Sequence, residues 1–170
     1  KKVLVAIICF LCIPVVTLAA DYDIEHFYID ATLKDNGDME VSELIVLDGT
    51  FNGYERDIIY QSSYTNYNAS NIENLSVSAK HVNKVSFETF YEYFDTFSQV
   101  TYANNGDMGK YILSSLSDGI RLRMYYSTDN ESTAFLIKYT LKDVGILHSD
   151  VVEYYWNFIG NGFEDDIKDL

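Results

Sequence analysis

The chain has 170 residues, of which 26 are acidic and 12 are basic, giving a net charge of −14 at pH 7. A surface this acidic repels phosphate backbones, so a nucleic-acid-binding function is not expected. Apolar residues make up 48% of the chain, too many for an intrinsically disordered protein. The length suits one domain with its own core.

The first predicted element is a signal peptide at residues 1–20. Lys1 and Lys2 precede an apolar run, Val3–Val16, which is shorter than the roughly 20 residues of a membrane span. Small residues follow up to Ala20, as a signal peptidase cleavage site requires. We therefore expect residues 21–170 to form a single extracytoplasmic domain, either secreted or anchored at the cell membrane.

The cysteines indicate the compartment and the source. Cys9 and Cys12 both lie in the predicted signal peptide, so the mature chain would contain no disulfide. Small secreted eukaryotic domains often carry disulfides, and their absence favours a bacterial exported protein.

The predicted mature chain is more acidic than the full sequence. Without Lys1 and Lys2 it has ten basic and 26 acidic residues, a net charge of −16. We expect no cofactor and no metal site.

Alternating apolar and polar residues predict short strands, each with one buried face. Turn residues separate them at three places, Asp35–Asp38, Asp118–Gly119 and Asp129–Asn130. This pattern predicts a mainly β fold, an antiparallel β-sandwich of immunoglobulin-like or jelly-roll-like type with one or two short helices. The predicted strands are Glu25–Leu33, Met39–Leu47, Leu75–Lys80, Tyr111–Leu116, Ile120–Tyr126 and Thr133–Leu141.

Three segments do not fit the alternation. Gln61–Asn74 is polar and is predicted to be a long loop. Val85–Val100 has aromatic residues at helical spacing, yet aromatics also favour strands, so a short helix and an irregular strand both stay open. Within Ser149–Gly160, Ser149 is a candidate cap for a short helical turn.

One acidic residue lies on the apolar face of a predicted strand. Glu43 is in register with Val41 and Ile45, and burying it without a partner would cost several kcal/mol. The nearest downstream cation is Arg56. We predict that Arg56 pairs with Glu43 and fastens a loop at Thr50–Ile59 to the sheet. The alternative is a bulge that turns Glu43 to solvent.

Four segments carry short motifs that occur in the same order in one known family. They are Gly37–Glu43, Phe51–Ile58, Phe135–Leu141 and Glu153–Gly160, and the last, read as E-x-x-W-N-x-x-G, is the most specific. Together they resemble the DUF2207 family of predicted membrane proteins, also called YciQ-like. The resemblance implies a signal peptide, an extracytoplasmic β-rich domain and membrane helices, which here would come from a segment beyond Leu170. It implies no catalytic residue.

The residues that match the family motifs are interpreted first as structural anchors, and none as catalytic. These residues are Glu43, Arg56, Tyr139, Glu153, Trp156 and Asn157. A candidate interaction patch comes from an aromatic segment, for which core filling is the competing interpretation. Its members are Phe87, Phe90, Tyr91 and Phe94.

The favoured function is a non-catalytic interaction module that binds an envelope protein or polysaccharide. One alternative is an envelope glycoside hydrolase that uses Glu43 and Glu153 as paired carboxylates. Another is a calcium-dependent adhesion module, with Asp35, Asp38 and Glu40 as possible ligands. The acidic run at residues 164–166 is a second calcium candidate.

Overall fold

Strands account for most of the fold, and the computed structural model describes residues 21–63, 67–159 and 167–170. The predicted signal peptide, with Cys9 and Cys12, and the acidic run at 164–166 lie outside the described residues. The strands are β1 (Asp21–Leu33), β2 (Met39–Phe51), β3 (Tyr54–Ile59), β4 (Ile72–His81), β5 (Asp95–Thr96), β6 (Ser98–Gln99), β7 (Lys110–Ser115), β8 (Gly119–Tyr125), β9 (Thr128–Leu141), β10 (Ile146–Leu147) and β11 (Val152–Glu153).

The described strands form two main sheets and one small hairpin. The first sheet has the spatial order β1-β2-β9-β4-β5 and the second the order β3-β8-β7-β6, while β10 pairs with β11. Pairing is antiparallel except between β6 and β7. In an immunoglobulin domain the fifth strand lies between the second and the fourth, whereas here β9 takes that place. The prediction of a mainly β, antiparallel fold is confirmed.

The main core lies between the two sheets, as expected for a sandwich. Alternate residues of β2 and β9, such as Val41, Ile45 and Ile137, point into it from the first sheet. Leu122 and Met124 of β8 enter it from the second sheet and are fully buried. Alternation therefore correctly predicts which face of each long strand is apolar.

Phe135 lies at the centre of this core. Its ring is 6.0 to 6.4 Å, centroid to centroid, from the rings of Phe51, Tyr54, Phe97 and Tyr126. Tyr54 belongs to the second sheet and Phe51 to the first, so the aromatic cluster connects the two sheets. Such tilted and edge-on ring pairs add stability beyond the burial of their area.

A second, smaller apolar cluster covers part of the outer face of the first sheet. Leu44 and Val46 of β2 point to this side, whereas Ile45 and Leu47 point into the main core. The segment that follows β4 lies over them and contains a 3-10 turn, Phe87–Tyr91. Because β2 is covered on both faces here, its sequence is continuously apolar rather than alternating.

Both hairpin turns predicted between alternating runs are found. The β1–β2 turn is closed by the Lys34 N–H, which donates to the Asp38 carbonyl at 2.9 Å. The β7–β8 turn is closed by the Leu116 N–H, which donates to Gly119. The third predicted turn is wrong, because Asp129 and Asn130 lie within β9. The chain instead crosses between the sheets at residues 126–127.

Two of the predicted loops are wrong in part. The predicted loop Thr50–Ile59 contains β3, an edge strand whose inward positions are Tyr54, Arg56 and Ile58. Because the middle inward residue, Arg56, is charged, the segment does not show the alternation of apolar and polar residues that predicts a strand. The predicted loop Gln61–Asn74 ends earlier, because β4 begins at Ile72.

The segment that begins at Ser149 also differs from its prediction. Ser149 caps no helix, since it lies in the loop of the β10–β11 hairpin. The Val85–Val100 segment contains both alternatives that the pattern left open, a 3-10 turn and the two short strands β5 and β6. Short-range patterns could not separate them because each element spans five residues or fewer.

Gly53 is required where the chain turns from β2 into β3. Its φ is 153°, and a Cβ atom there would lie 2.1 Å from the carbonyl oxygen of Met124. We expect Gly53→Ala to lower the free energy of unfolding by more than about 1 kcal/mol, because neither strain nor clash can relax cheaply. Urea denaturation measures this loss. Gly106→Ala is the control, since Gly106 has φ of 90° but open space around it. An equal loss of unfolding free energy in both variants would contradict the inference that the clash with Met124 destabilises Gly53→Ala.

Candidate functional site

A buried ion pair connects the two sheets. Glu43 of β2 and Arg56 of β3 form two hydrogen bonds, with Nε to Oε2 at 2.7 Å and Nη2 to Oε1 at 2.9 Å. Glu43 is fully buried and Arg56 nearly so. The predicted pairing is confirmed, and the bulge that would expose Glu43 is excluded by this geometry. The cation comes from the opposite sheet and not from a loop.

Two further groups complete this polar cluster. The Tyr139 hydroxyl of β9 donates to Glu43 Oε1 at 2.8 Å. Arg56 Nη2 donates to the carbonyl oxygen of Phe158 at 2.8 Å, and Arg56 Nη1 to that of Asp57 at 2.9 Å. The guanidinium also lies over the Phe27 ring, 5.2 Å from its centroid. The cluster therefore joins both sheets to the segment that contains Trp156 and Asn157.

The protonation states of the cluster follow from its surroundings. Burial lowers the pKa of Arg56, but the charge and hydrogen bonds of Glu43 outweigh burial and raise it. Burial, together with the neighbouring Glu43 carboxylate, raises the pKa of Tyr139 well above its ordinary value. Arg56 is thus charged and Tyr139 neutral at neutral pH. Every group of this cluster is paired and inaccessible to solvent, so none of them is available to act on a substrate.

The remaining motif residues lie on the segment that covers one end of the core. Trp156 is half-buried and packs against the main core, as do Phe158 and Ile159. Asn157 and Glu153 are exposed. Glu153 accepts a hydrogen bond from the Tyr67 hydroxyl at 2.8 Å and lies 3.1 Å from His148 Nε2. The structure therefore brings Glu43, Arg56 and Tyr139 together, but not Glu153.

The carboxylate pair of the hydrolase alternative is not assembled. Glu43 is sealed in the core and bound to Arg56 and Tyr139, while Glu153 lies on the surface with different partners. A glycosidase needs both carboxylates to face one sugar across a cleft. This prediction is wrong for the named pair, because the strand register turns Glu43 inward.

Two of the three acidic groups proposed for calcium in the β1–β2 turn, Asp38 and Glu40, bind lysines of the same chain instead, while Asp35 is exposed. Asp38 accepts hydrogen bonds from Lys142, from the Asn36 amide at 2.7 Å and from the Asp143 N–H at 3.1 Å. The Lys142 hydrogen bond is the main cause of the lowered pKa of Asp38. Glu40 pairs with Lys34 at 2.6 Å. The described residues include no group of three or more metal-binding side chains.

The predicted aromatic patch is divided between the core and the surface. Phe90 and Phe94 are buried in the smaller apolar cluster, so their inclusion in an exposed patch is wrong. Phe87 and Tyr91 are 53% and 75% exposed, and the neighbouring Tyr93 is 83% exposed. We call residues 87–94 the aromatic cap, with buried members below and exposed rings above.

The cap has a well-defined base. The Thr89 N–H donates to the Ser86 carbonyl at 3.0 Å, and the Ser86 N–H donates to Thr89 Oγ1 at 3.1 Å. Lys80 of β4 lies over the Phe94 ring at 4.9 Å and forms an ion pair with Glu92. These contacts fix the base of the cap, and the Phe87 ring lies 5.2 Å from the Phe90 ring and 6.3 Å from the Tyr91 ring, centroid to centroid.

A shallow polar concavity of about 280 Å³ adjoins the cap. Val85 forms part of its wall and lies two residues before Phe87. The sequence contains no signal for this concavity, because its wall comes from four separate segments. The lining residues are Glu25, His26, Val46, Asp48, Val82, Asn83, Lys84, Val85 and Ser132.

Comparison with known proteins gives one family. The model described as "Predicted membrane protein (DUF2207) N-terminal domain" matches residues 23–170. None of the curated proteins matches, and no solved structure does. The part of the chain that the structure describes holds no helix of the length and hydropathy that a membrane crossing needs. The match covers most of the chain. The chain therefore belongs to the DUF2207 family of predicted membrane proteins and corresponds to the N-terminal domain of that family.

Proposed function

We propose that this domain is a non-catalytic binding module on the extracytoplasmic side of the membrane, and that it recognises envelope polysaccharide through the aromatic cap. The observation that carries the proposal is the exposure of Phe87, Tyr91 and Tyr93 above a buried base. Exposed rings that stand above a packed base can stack on the apolar faces of sugars. The extracytoplasmic location rests on the predicted signal peptide.

The charges around the cap favour a neutral polymer. Glu88 and Asp95 lie beside the exposed rings, and Glu92 is neutralised by its ion pair with Lys80. A hydrogen bond from the Ser86 hydroxyl lowers the pKa of Glu88, so this carboxylate is ionised at neutral pH. Anionic polymers are therefore repelled. Asn83 and Ser132 in the neighbouring concavity offer the neutral hydrogen-bonding groups that sugar hydroxyls need.

The test is cosedimentation of the chain with insoluble envelope polysaccharide that has been treated with protease. The triple variant Phe87→Ala/Tyr91→Ala/Tyr93→Ala is expected to bind about tenfold more weakly, because each ring contributes at least about 0.5 kcal/mol of stacking. Tyr102→Ala/Tyr155→Ala is the matched control, since both tyrosines are strongly exposed outside the cap.

Each outcome decides one part of the proposal. Equal binding by the cap variant and the native chain would overturn the assignment of the surface. Equal weakening in the control would show that exposed tyrosines act without a defined site. Binding that disappears once the envelope is treated with protease would replace the polysaccharide by a protein partner.

A further inference from the structure

The β10–β11 hairpin carries several apolar side chains that are largely or half exposed. Leu147 is 80% exposed, Val151 56% and Val152 47%. The hairpin lies at the end of the sandwich that holds the β1–β2 turn. There, Gly145 donates to the carbonyl of Gly37 at 3.0 Å. We call this end, with residues 33–38 and 145–155, the hairpin end.

The C-terminal residues run toward the same end. Ile167 forms a parallel bridge with Ile24 of β1, and the Phe27 N–H donates to the Asp169 carbonyl at 2.9 Å. Parallel pairing means that residues 167–170 and β1 share one direction, toward Leu33. The remaining six residues of β1 span about 20 Å. Any residues that follow Leu170 in this direction would emerge beside the hairpin.

The family description supplies the second observation. It places the matched domain at the N-terminal side of predicted membrane proteins, so in those proteins the rest of the chain continues from this C-terminal side. We infer that the hairpin end faces the lipid bilayer and that Leu147, Val151 and Val152 enter its interface. Leu33 is half exposed at the same end and extends this apolar surface.

The charges at the hairpin end indicate apolar rather than electrostatic contact. Asp150 lies in the hairpin loop and Glu153 follows Val152, while His148 is close to Glu153. Glu153 has a lowered pKa because of its hydrogen bonds from Tyr67 and His148, so it stays ionised at neutral pH. Anionic headgroups would be repelled by these carboxylates. Binding should therefore need no anionic lipid and should change little with salt.

The first test measures depth at matched positions. The chain carries Cys9→Ser and Cys12→Ser, a histidine tag after Leu170 and a single dye at Leu147→Cys or Tyr91→Cys. It is anchored to phosphatidylcholine vesicles by a nickel-chelating lipid, and nitroxide lipids quench the dye. We expect several-fold stronger quenching at position 147 than at position 91. Leu147 is 80% exposed and Tyr91 75%, so we expect neither substitution to disturb folding. Equal quenching, or stronger quenching at position 91, would overturn the inference.

The second test uses flotation without the tag. Leu147→Ser/Val151→Ser/Val152→Ser should lower partitioning onto phosphatidylcholine vesicles by about tenfold or more, since several buried methylene groups are lost. Phe87→Ser/Tyr91→Ser/Tyr93→Ser in the aromatic cap is the control and should float like the native chain. Both variants keep residues 1–20, so any contribution from Val3–Val16 cancels. Flotation lowered only by the cap variant, or by neither, would refute the bilayer contact. Polysaccharide binding should stay unchanged in the hairpin variant, which separates this result from the function of the cap.

Discussion

Replacing Arg56 by methionine is expected to lower the free energy of unfolding by about 3–5 kcal/mol. The Glu43 carboxylate would remain buried between the sheets without its cation, and the Phe158 carbonyl would lose a donor. Urea denaturation followed by the fluorescence of half-buried Trp156 measures the change. The midpoint should fall while the slope stays the same.

Arg121→Met is the matched control for Arg56→Met. Arg121 also binds a carboxylate through two hydrogen bonds, to Asp57 at 2.7 and 2.8 Å, but on the exposed side of the second sheet. An exposed pair is worth at most about 1 kcal/mol. Equal losses for the two variants would contradict the idea that burial makes the Glu43–Arg56 pair important.

A combined variant separates the attraction of the pair from the cost of an orphaned charge. Glu43→Leu/Arg56→Met/Tyr139→Phe removes every charge and hydroxyl of the cluster at once. It should be more stable than Arg56→Met alone, because no buried polar group is left unpaired. If the triple variant is less stable than Arg56→Met, the attraction between the groups of the cluster exceeds the free-energy cost of burying them.

The second large effect is expected at Phe135. Phe135→Ala should cost about 3–5 kcal/mol, because it removes a fully buried ring and leaves a cavity among four aromatic neighbours from both sheets. Differential scanning calorimetry and urea denaturation both measure this loss. Phe87→Ala removes the same side chain from the exposed aromatic cap and should change stability by no more than about 0.5 kcal/mol. A loss below about 1 kcal/mol at Phe135 would mean that the core collapses around the missing ring.

Local sequence patterns predict only some of the residues in the candidate site. Glu43 was identifiable because a single charge interrupts an otherwise apolar face, and Arg56 because it is the nearest downstream cation. Tyr139 was known only as a motif position, and its hydrogen bond to Glu43 depends on β9 lying beside β2. The Phe158 carbonyl could not be foreseen, since a backbone acceptor leaves no trace in the residue types.

The sequence by itself determined which side chains of β1, β2, β8 and β9 point inward, because the period of a strand is a local property of the chain. It also determined the two hairpin turns. Only the tertiary structure decided which strands share a sheet and what covers each face. Phe90 and Phe94 are buried because the chain folds back over Leu44 and Val46, and residues 167–170 align with β1 from more than 140 positions away. These contacts join distant segments, so no short stretch of sequence contains them.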